Sequence, residues 1–265
     1  MLLEGKTAVV YGGSGAIGGA AARAFAREGA RVFLVGRTVE GLRHTANEIA
    51  DAGGRADFDA LDVLDQAAVE RHARSVVDRA GSIDIALTAV GFPHVQGPPF
   101  AELSLADFEQ PIAAYTRANF ITAKAVSPHM AAKGRGVILT LSTPGARMTG
   151  SGFLGYGTTC GAVETFSRLL AGELGGKGIR VVCLRPDAIP EALPTSHARG
   201  VFEGFARRFD TTVEAILESR AASGTLLGRF PKLDEVADYA AFVASDRAGA
   251  MTGAIANLTC GSLVD

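Results

Sequence analysis

The stretch Tyr11-Gly12-Gly13-Ser14-Gly15-Ala16-Ile17-Gly18 has residue types and spacing suited to one kind of chemistry, the holding of a phosphate. An apolar run precedes it and a helical pattern follows. Glycines in such a turn permit a tight bend and let a pyrophosphate approach the backbone at the positive end of the helix. The alternative is a βα turn with a structural purpose alone. The next apolar run ends Val35-Gly36-Arg37-Thr38. A carboxylate at that strand end would bind an adenosine ribose 2′-hydroxyl and select NAD. Gly36 leaves the place empty, and the guanidinium fork of Arg37 suits a 2′-phosphate. This favours NADP, with NAD as the second choice. The competing reading of Arg37 is a solvated surface side chain.

Elements of alternating type must position these residues. Apolar runs at 7–11, 31–35, 56–61, 83–88, 137–141, 179–184 and 254–258 read as strands. Helical patterns cover the segment after the glycine turn to 28, then 39–52, 67–79, 108–132, 156–174 and 234–245. Pro111 falls in the first turn of the long fourth helix and Pro128 near its end. Continuous apolar strands, each joined to a helix, imply a parallel sheet covered on both faces. The fold expected is α/β, a single Rossmann-type doubly wound domain of about seven strands, with ligands at the carboxyl ends of the strands. The segment 186–229 leaves this rhythm. It carries Pro190, Pro194 and a short amphipathic piece, and reads as a lid over the site.

Composition bounds the rest. The chain has 265 residues, 48% of them apolar, enough for one well-filled core. A net charge of −2 without a basic stripe argues against a nucleic-acid surface. Cys160, Cys183 and Cys260 show no metal-ligand spacing, so no metal site is expected and free thiols in a reducing cytoplasm fit best. Residues 1–6 lead straight into a strand pattern, giving no sign of a signal peptide, and no apolar run is long enough to span a membrane.

The segment Tyr156-Gly157-Thr158-Thr159-Cys160, with the glycine turn and Ala118-Asn119-Phe120, resembles the short-chain dehydrogenase/reductase family. The likeness runs from about Gly5 to Ser262. Gly12 and Gly18 match the outer glycines of the family's main branch, with Ala16 in place of the middle one. Read as Gly12, Gly15 and Gly18, the turn is instead similar to the extended branch; chain length favours the main one. The resemblance implies that Tyr156 exchanges a proton with the substrate oxygen. The family's serine, 13 residues earlier, falls on Thr143, with Ser142 adjacent. Asn119 matches the asparagine of a proton relay, although a helix-interior Asn bonded to backbone is an equal reading. Asp62 and Val63 match the adenine-binding pair, while Asp62 could equally cap the next helix. Thr88-Ala89-Val90-Gly91 stands where the family has Asn-Asn-Ala-Gly. Pro186, Asp187 and Ile189 fall where it flanks the nicotinamide, with Asp187 for a glycine and so a negative charge at the mouth. The implied partners are a small-molecule substrate and further copies of the chain, a homodimer or homotetramer, packed through the long helix and the small-residue face Gly161-Ala162-Phe166-Ala171.

Where the family places a lysine four residues after the tyrosine, this chain has Cys160. A free phenol has a pKa of about 10; without a nearby cation it loses the main influence that lowers it, and a thiolate would raise it. Tyr156 would then serve better as an acid than as a base. No lysine lies between Lys133 and Lys177, and seven residues after Tyr156, where enoyl reductases have theirs, stands Val163. His94, after the fourth strand, is the first candidate for a replacement acid or base. Arg147 is a second source of charge. The first expectation is an NADPH-dependent reductase of a carbonyl-type compound. The alternatives are a catalytically silent nucleotide-binding or partner subunit, and a non-redox lyase or isomerase using Tyr156 and His94.

Overall fold

The computed structural model describes residues 1–196 and 198–264, apart from the side chain of residue 195. Seven parallel strands form one sheet: β1 (Thr7–Tyr11), β2 (Arg31–Gly36), β3 (Arg55–Ala60), β4 (Ile85–Thr88), β5 (Gly136–Leu141), β6 (Ile179–Pro186) and β7 (Ala254–Leu258). Their order is β3-β2-β1-β4-β5-β6-β7. The order reverses between β1 and β4, so a crevice opens at the carboxyl ends of these two strands. Successive strand residues point to opposite faces. Ala8 and Val10 join Leu34, Leu87 and Leu139 under α1 (Ala16–Arg27), α2 (Val39–Asp51) and α8 (Leu233–Ala244). Val9 and Tyr11 join Phe33, Ala86 and Ile138 under α3 (Gln66–Ala80), α4 (Leu105–Ala132) and α5 (Leu154–Gly175). Both faces are covered, as continuous apolar strands require.

The edge strand β3 differs. Its sequence RADFDA is half-exposed, and its carboxylates are paired. Asp57 meets Arg31 and Arg79, each at 2.9 Å, and Asp59 meets Arg79 at 2.9 Å.

Boundaries moved where caps decide them. α4 starts at Leu105 rather than 108. The Ser104 hydroxyl accepts a hydrogen bond from the Asp107 N–H and donates one to its carboxylate, satisfying an otherwise free helix donor. Pro111 therefore lies beyond the first turn. The segment 186–229 holds more order than one amphipathic piece: a 3-10 turn (Pro190–Thr195), α6 (Ala198–Arg208) and α7 (Val213–Gly224). Thr212 caps α7 by accepting from the Ala215 N–H, and Leu193, Ala206, Val213, Leu217 and Phe230 form a small core beneath.

A buried ion pair locks the sheet to α5. Glu164 is 4% and Arg185 2% exposed. The Arg185 fork donates to both carboxylate oxygens, Nε to Oε1 at 2.7 Å and Nη2 to Oε2 at 3.0 Å. Ser142 donates to the same Oε1 at 2.8 Å. β6 extends to Pro186, so Arg185 lies inside a strand read from its pattern as ending at 184. Losing one partner strands a buried charge, whereas losing both strands none. Arg185→Met should therefore cost about 3–5 kcal/mol in urea unfolding, and the double variant Glu164→Leu/Arg185→Met should cost clearly less.

Candidate active site

Glycines bring the elements of the site together. Gly12 has φ of +90°, and a Cβ there would lie 2.4 Å from the Ala89 oxygen. A Cβ on Gly18 would lie 2.2 Å from the Gly12 oxygen. These contacts seat the start of α1 directly on the β1 turn and against the end of β4. Gly15 caps α1 without a side chain, and the first turn-closing bond runs from the Gly19 N–H to the Gly15 oxygen. The helix itself leaves the N–H groups of Ala16, Ile17 and Gly18 without intrahelical acceptors, a ready anion cradle.

A second pair of glycines positions Tyr156 in the first turn of α5. A Cβ on Gly157 would stand 2.8 Å from the Gly145 oxygen, and one on Gly155 3.3 Å from the Asp107 oxygen. Only small residues let α5 approach both α4 and the turn that follows β5. Thr143 caps that turn, accepting from the Gly145 N–H at 3.3 Å, and its hydroxyl lies 3.3 Å from Cys160 Sγ. The Tyr156 hydroxyl stands near Thr143 and Cys160, and both act on its proton affinity.

A cavity of about 300 Å³ gathers most of the expected residues. Gly15, Ala16 and Ile17 line it from α1, Val90 and Gly91 from the end of β4, and Pro186, Asp187 and Ile189 from beyond β6. Asn119, Ser142, Thr143, Tyr156, Cys160 and His94 line the same space. Gly12, Ser14, Gly18, Arg37, Asp62 and Val63 lie outside it, toward the ends of β1, β2 and β3. Arg37 is exposed, and Ser14 packs beside Gly36 and Gly41. Arg147 is exposed and does not line the cavity.

Several roles read from the sequence need correction. The Ser142 hydroxyl donates to Glu164, so Thr143 alone of the two is turned to Tyr156. Asp62 does not cap α3; it accepts from the Leu64 N–H, and Asp65 makes the cap by accepting from the Ala68 N–H at 3.0 Å. Asp187 puts no free charge at the mouth. It is buried, and its carboxylate accepts from Arg220 Nη2 at 2.9 Å, from the Ala188 N–H and from the Ser262 hydroxyl. Asn119 donates its amide to the Tyr115 carbonyl, the bland option, while its Oδ1 is buried without a protein partner and is free to accept. Ala171 is buried and Phe166 packs on the core, so half of the small-residue face serves the monomer.

Pattern reading missed Tyr115, Glu164 and Arg220. Tyr115 stacks edge-on with Phe92, His94 and Tyr156, and the Phe92 N–H donates to its hydroxyl at 3.1 Å. His94 lies flat on Tyr156, centroids 4.0 Å apart and planes within 5°. Its Nδ1 faces the Phe92 oxygen at 3.0 Å, so that nitrogen carries the proton, and Nε2 is 3.1 Å from the Gln96 amide nitrogen. Glu164 had a visible signal. It sits on the α5 face with Cys160, Val163, Ser167 and Ala171, where a carboxylate demands a buried partner.

Burial dominates the electrostatics. It pushes the Cys160 thiol up to about 11, against opposing hydrogen bonds from Thr143 and Tyr156. It pushes Tyr115 up to about 12. Tyr156 is raised well above an ordinary phenol, first by burial, then by Cys160 and Tyr115, with Thr143 opposing. At neutral pH all three are protonated. No lysine lines the cavity among the described residues, and none of their His, Cys, Asp or Glu side chains group as a metal site.

This geometry can be set beside known proteins. A family model described as enoyl-(acyl carrier protein) reductase matches residues 13–262. D-threitol dehydrogenase from Mycolicibacterium smegmatis is 31% identical over 95% of this chain and 90% of its own length. Momilactone A synthase from Oryza sativa is 33% identical over 92% and 85%. A solved dehydrogenase/reductase from Sinorhizobium meliloti superposes with a TM-score of 0.82 at 28% identity, covering 99% of this chain and 96% of that one. An NAD⁺-bound xylitol dehydrogenase, 23% identical, shares the fold with a TM-score of 0.88 over 98% and 100%. With the family model running from Gly13 past Tyr156 to Ser262, the chain belongs to the short-chain dehydrogenase/reductase family and is similar along its length to oxidoreductases.

Proposed function

We propose that this chain is an NADPH-dependent reductase of a carbonyl group on a small molecule, with Tyr156 acting as an acid. The observation that carries this is the Tyr156 hydroxyl, set beside Thr143 and a neutral Cys160 where the family has a lysine, and held protonated well above neutral pH. The residues present fit a dinucleotide. The α1 cradle, set in place by the close backbone approach at Gly12 and Gly18, suits a pyrophosphate. Asp62 and Val63 stand at the adenine end, Val90 and Gly91 beside the sheet centre, and Pro186 and Ile189 at the nicotinamide end. Asn119 Oδ1 is an orphaned acceptor in the same cavity. Arg37, exposed past Gly36, is the side chain for a 2′-phosphate.

When bound, the dinucleotide supplies the hydride. Thr143 donates a hydrogen bond to the carbonyl oxygen and Tyr156 delivers the proton to it. His94 packs flat on Tyr156 and orients the phenol. The segment 186–229, with α6 and α7, forms the lid over the site within the single domain. Assembly as a dimer or tetramer uses α4 and α5, whose Phe120 and Leu169 are exposed. A second reading, a redox-silent nucleotide-binding subunit, is favoured by the absent cation alone.

Tyr156→Phe should lower NADPH-dependent ketone reduction by about 10²-fold or more while NADPH affinity stays within about twofold; unchanged turnover would refute the acid role. The pH dependence follows from the sign of the shift. A folded-state pKa raised above 10 keeps the donor proton throughout neutral pH, so reduction should be level from about pH 7 to 9, whereas alcohol oxidation, which needs the phenolate, should climb across that range. Cys160→Lys should lower the Tyr156 pKa and raise oxidation at pH 8 by about tenfold. If that variant alone turns over, the silent-subunit reading holds instead. Arg37→Ala should weaken NADPH about tenfold with NADH unaffected, measured by fluorescence titration.

A further inference from the structure

The cavity has a wall that proton and hydride transfer do not require. Met148 and Phe153 enter it from the loop ahead of α5, Leu193 from the 3-10 turn after β6, and Val201 and Phe202 from α6. Gln96 and Ser196 add polar atoms there, and Gln96 is already engaged with His94. Arg220 is the arginine that lines the cavity among the described residues. Its guanidinium is bonded to Asp187 and lies 5.2 Å over the Phe230 ring, so the pair presents no net charge.

The wall is held in place before any substrate arrives. Phe153 packs on Phe205 of α6 with centroids 5.7 Å apart, and Phe205 on Phe209 at 4.6 Å. The Gly97 N–H donates to the Gly152 oxygen at 2.8 Å, and Arg208 of α6 pairs with Glu102. A preformed apolar surface selects by what it cannot satisfy. A hydroxyl pressed on Met148, Phe153, Val201 or Phe202 loses its water partners without gaining others, and an anion finds no unpaired cation among the described lining residues.

Resting on the reductase reading above, we propose that the substrate is a compact, neutral, largely apolar carbonyl compound, its oxygen at Thr143 and Tyr156 and its body against Met148, Phe153, Val201 and Phe202. A polyol-derived ketose and an anionic acyl thioester are the classes this wall rejects. The selection lies in binding, so it is measurable apart from turnover.

The test uses the full chain and calorimetry, with and without saturating NADPH, on three probes: trans-1-decalone, erythrulose and acetoacetyl-coenzyme A. Decalone should bind at least about tenfold more tightly than either other probe. Phe202→Asp should weaken decalone at least about tenfold and leave NADPH affinity within about twofold. Met148→Asp, at a position already 37% exposed, should act in the same direction if Phe202→Asp does not fold. Equal or tighter binding of erythrulose or acetoacetyl-coenzyme A, no binding of decalone in either state, or indifference to both variants overturns the proposal. Loss of NADPH binding with decalone binding intact would instead count against the cofactor assignment.

Discussion

Glu164 and Arg185 meet where three elements converge, and the geometry of the site depends on that meeting. α5 carries Tyr156, Cys160 and Glu164 at successive i,i+4 positions, so fixing the last of these fixes the rotation of the helix. The same carboxylate takes the Ser142 hydroxyl at the end of β5, one residue before Thr143. Arg185 comes from β6, two residues before Asp187. Two charges removed from water offset their desolvation only when geometry is good and the remaining acceptor positions are filled. Here the guanidinium binds both oxygens and a serine fills a further lone pair. The pair is weak evidence for net stability and strong evidence for a single arrangement of β5, β6 and α5.

Charge is settled outside the reaction space. Asp187 answers Arg220, Glu164 answers Arg185, and the phenols of Tyr115 and Tyr156 and the thiol of Cys160 at the centre of the cavity are protonated. A low-dielectric cavity of this kind keeps acids protonated because ionising any of them costs more than in water. The raised pKa values of Tyr156, Cys160 and Tyr115 share that one cause. An apolar outer wall extends the same environment toward the entrance.

The sheet and the glycine turn were legible in the chain because both are local. Apolar runs of strand length need no distant information, and Gly12 and Gly18 are demanded by contacts within the turn's own neighbourhood. What escaped depended on partners far along the chain. Asp187 looked like a bare charge because Arg220 stands 33 residues away, and the partner of Arg185 lies 21 residues back on another element. Ser142 and Thr143 are neighbours with equal chemistry, and only the direction of each side chain separates them. Helix starts slipped where a side-chain cap outranks the apolar pattern, as at Ser104. The stretch 186–229 hid two helices because its small core draws residues from Leu193 to Phe230, with no single periodic run to announce them.

The charged edge strand has a consequence for the molecule in a crowded solution. A sheet edge offers unpaired backbone groups to any passing strand, and an apolar edge strand invites such templating. β3 carries Asp57 and Asp59 within a lattice of Arg31 and Arg79, with both guanidiniums lying over the Phe33 ring. An incoming strand would have to strip water from those ions while gaining little apolar contact. The edge therefore discourages polymerisation of the folded chain, a protection against fibrous association that the highly apolar inner strands could not provide for themselves.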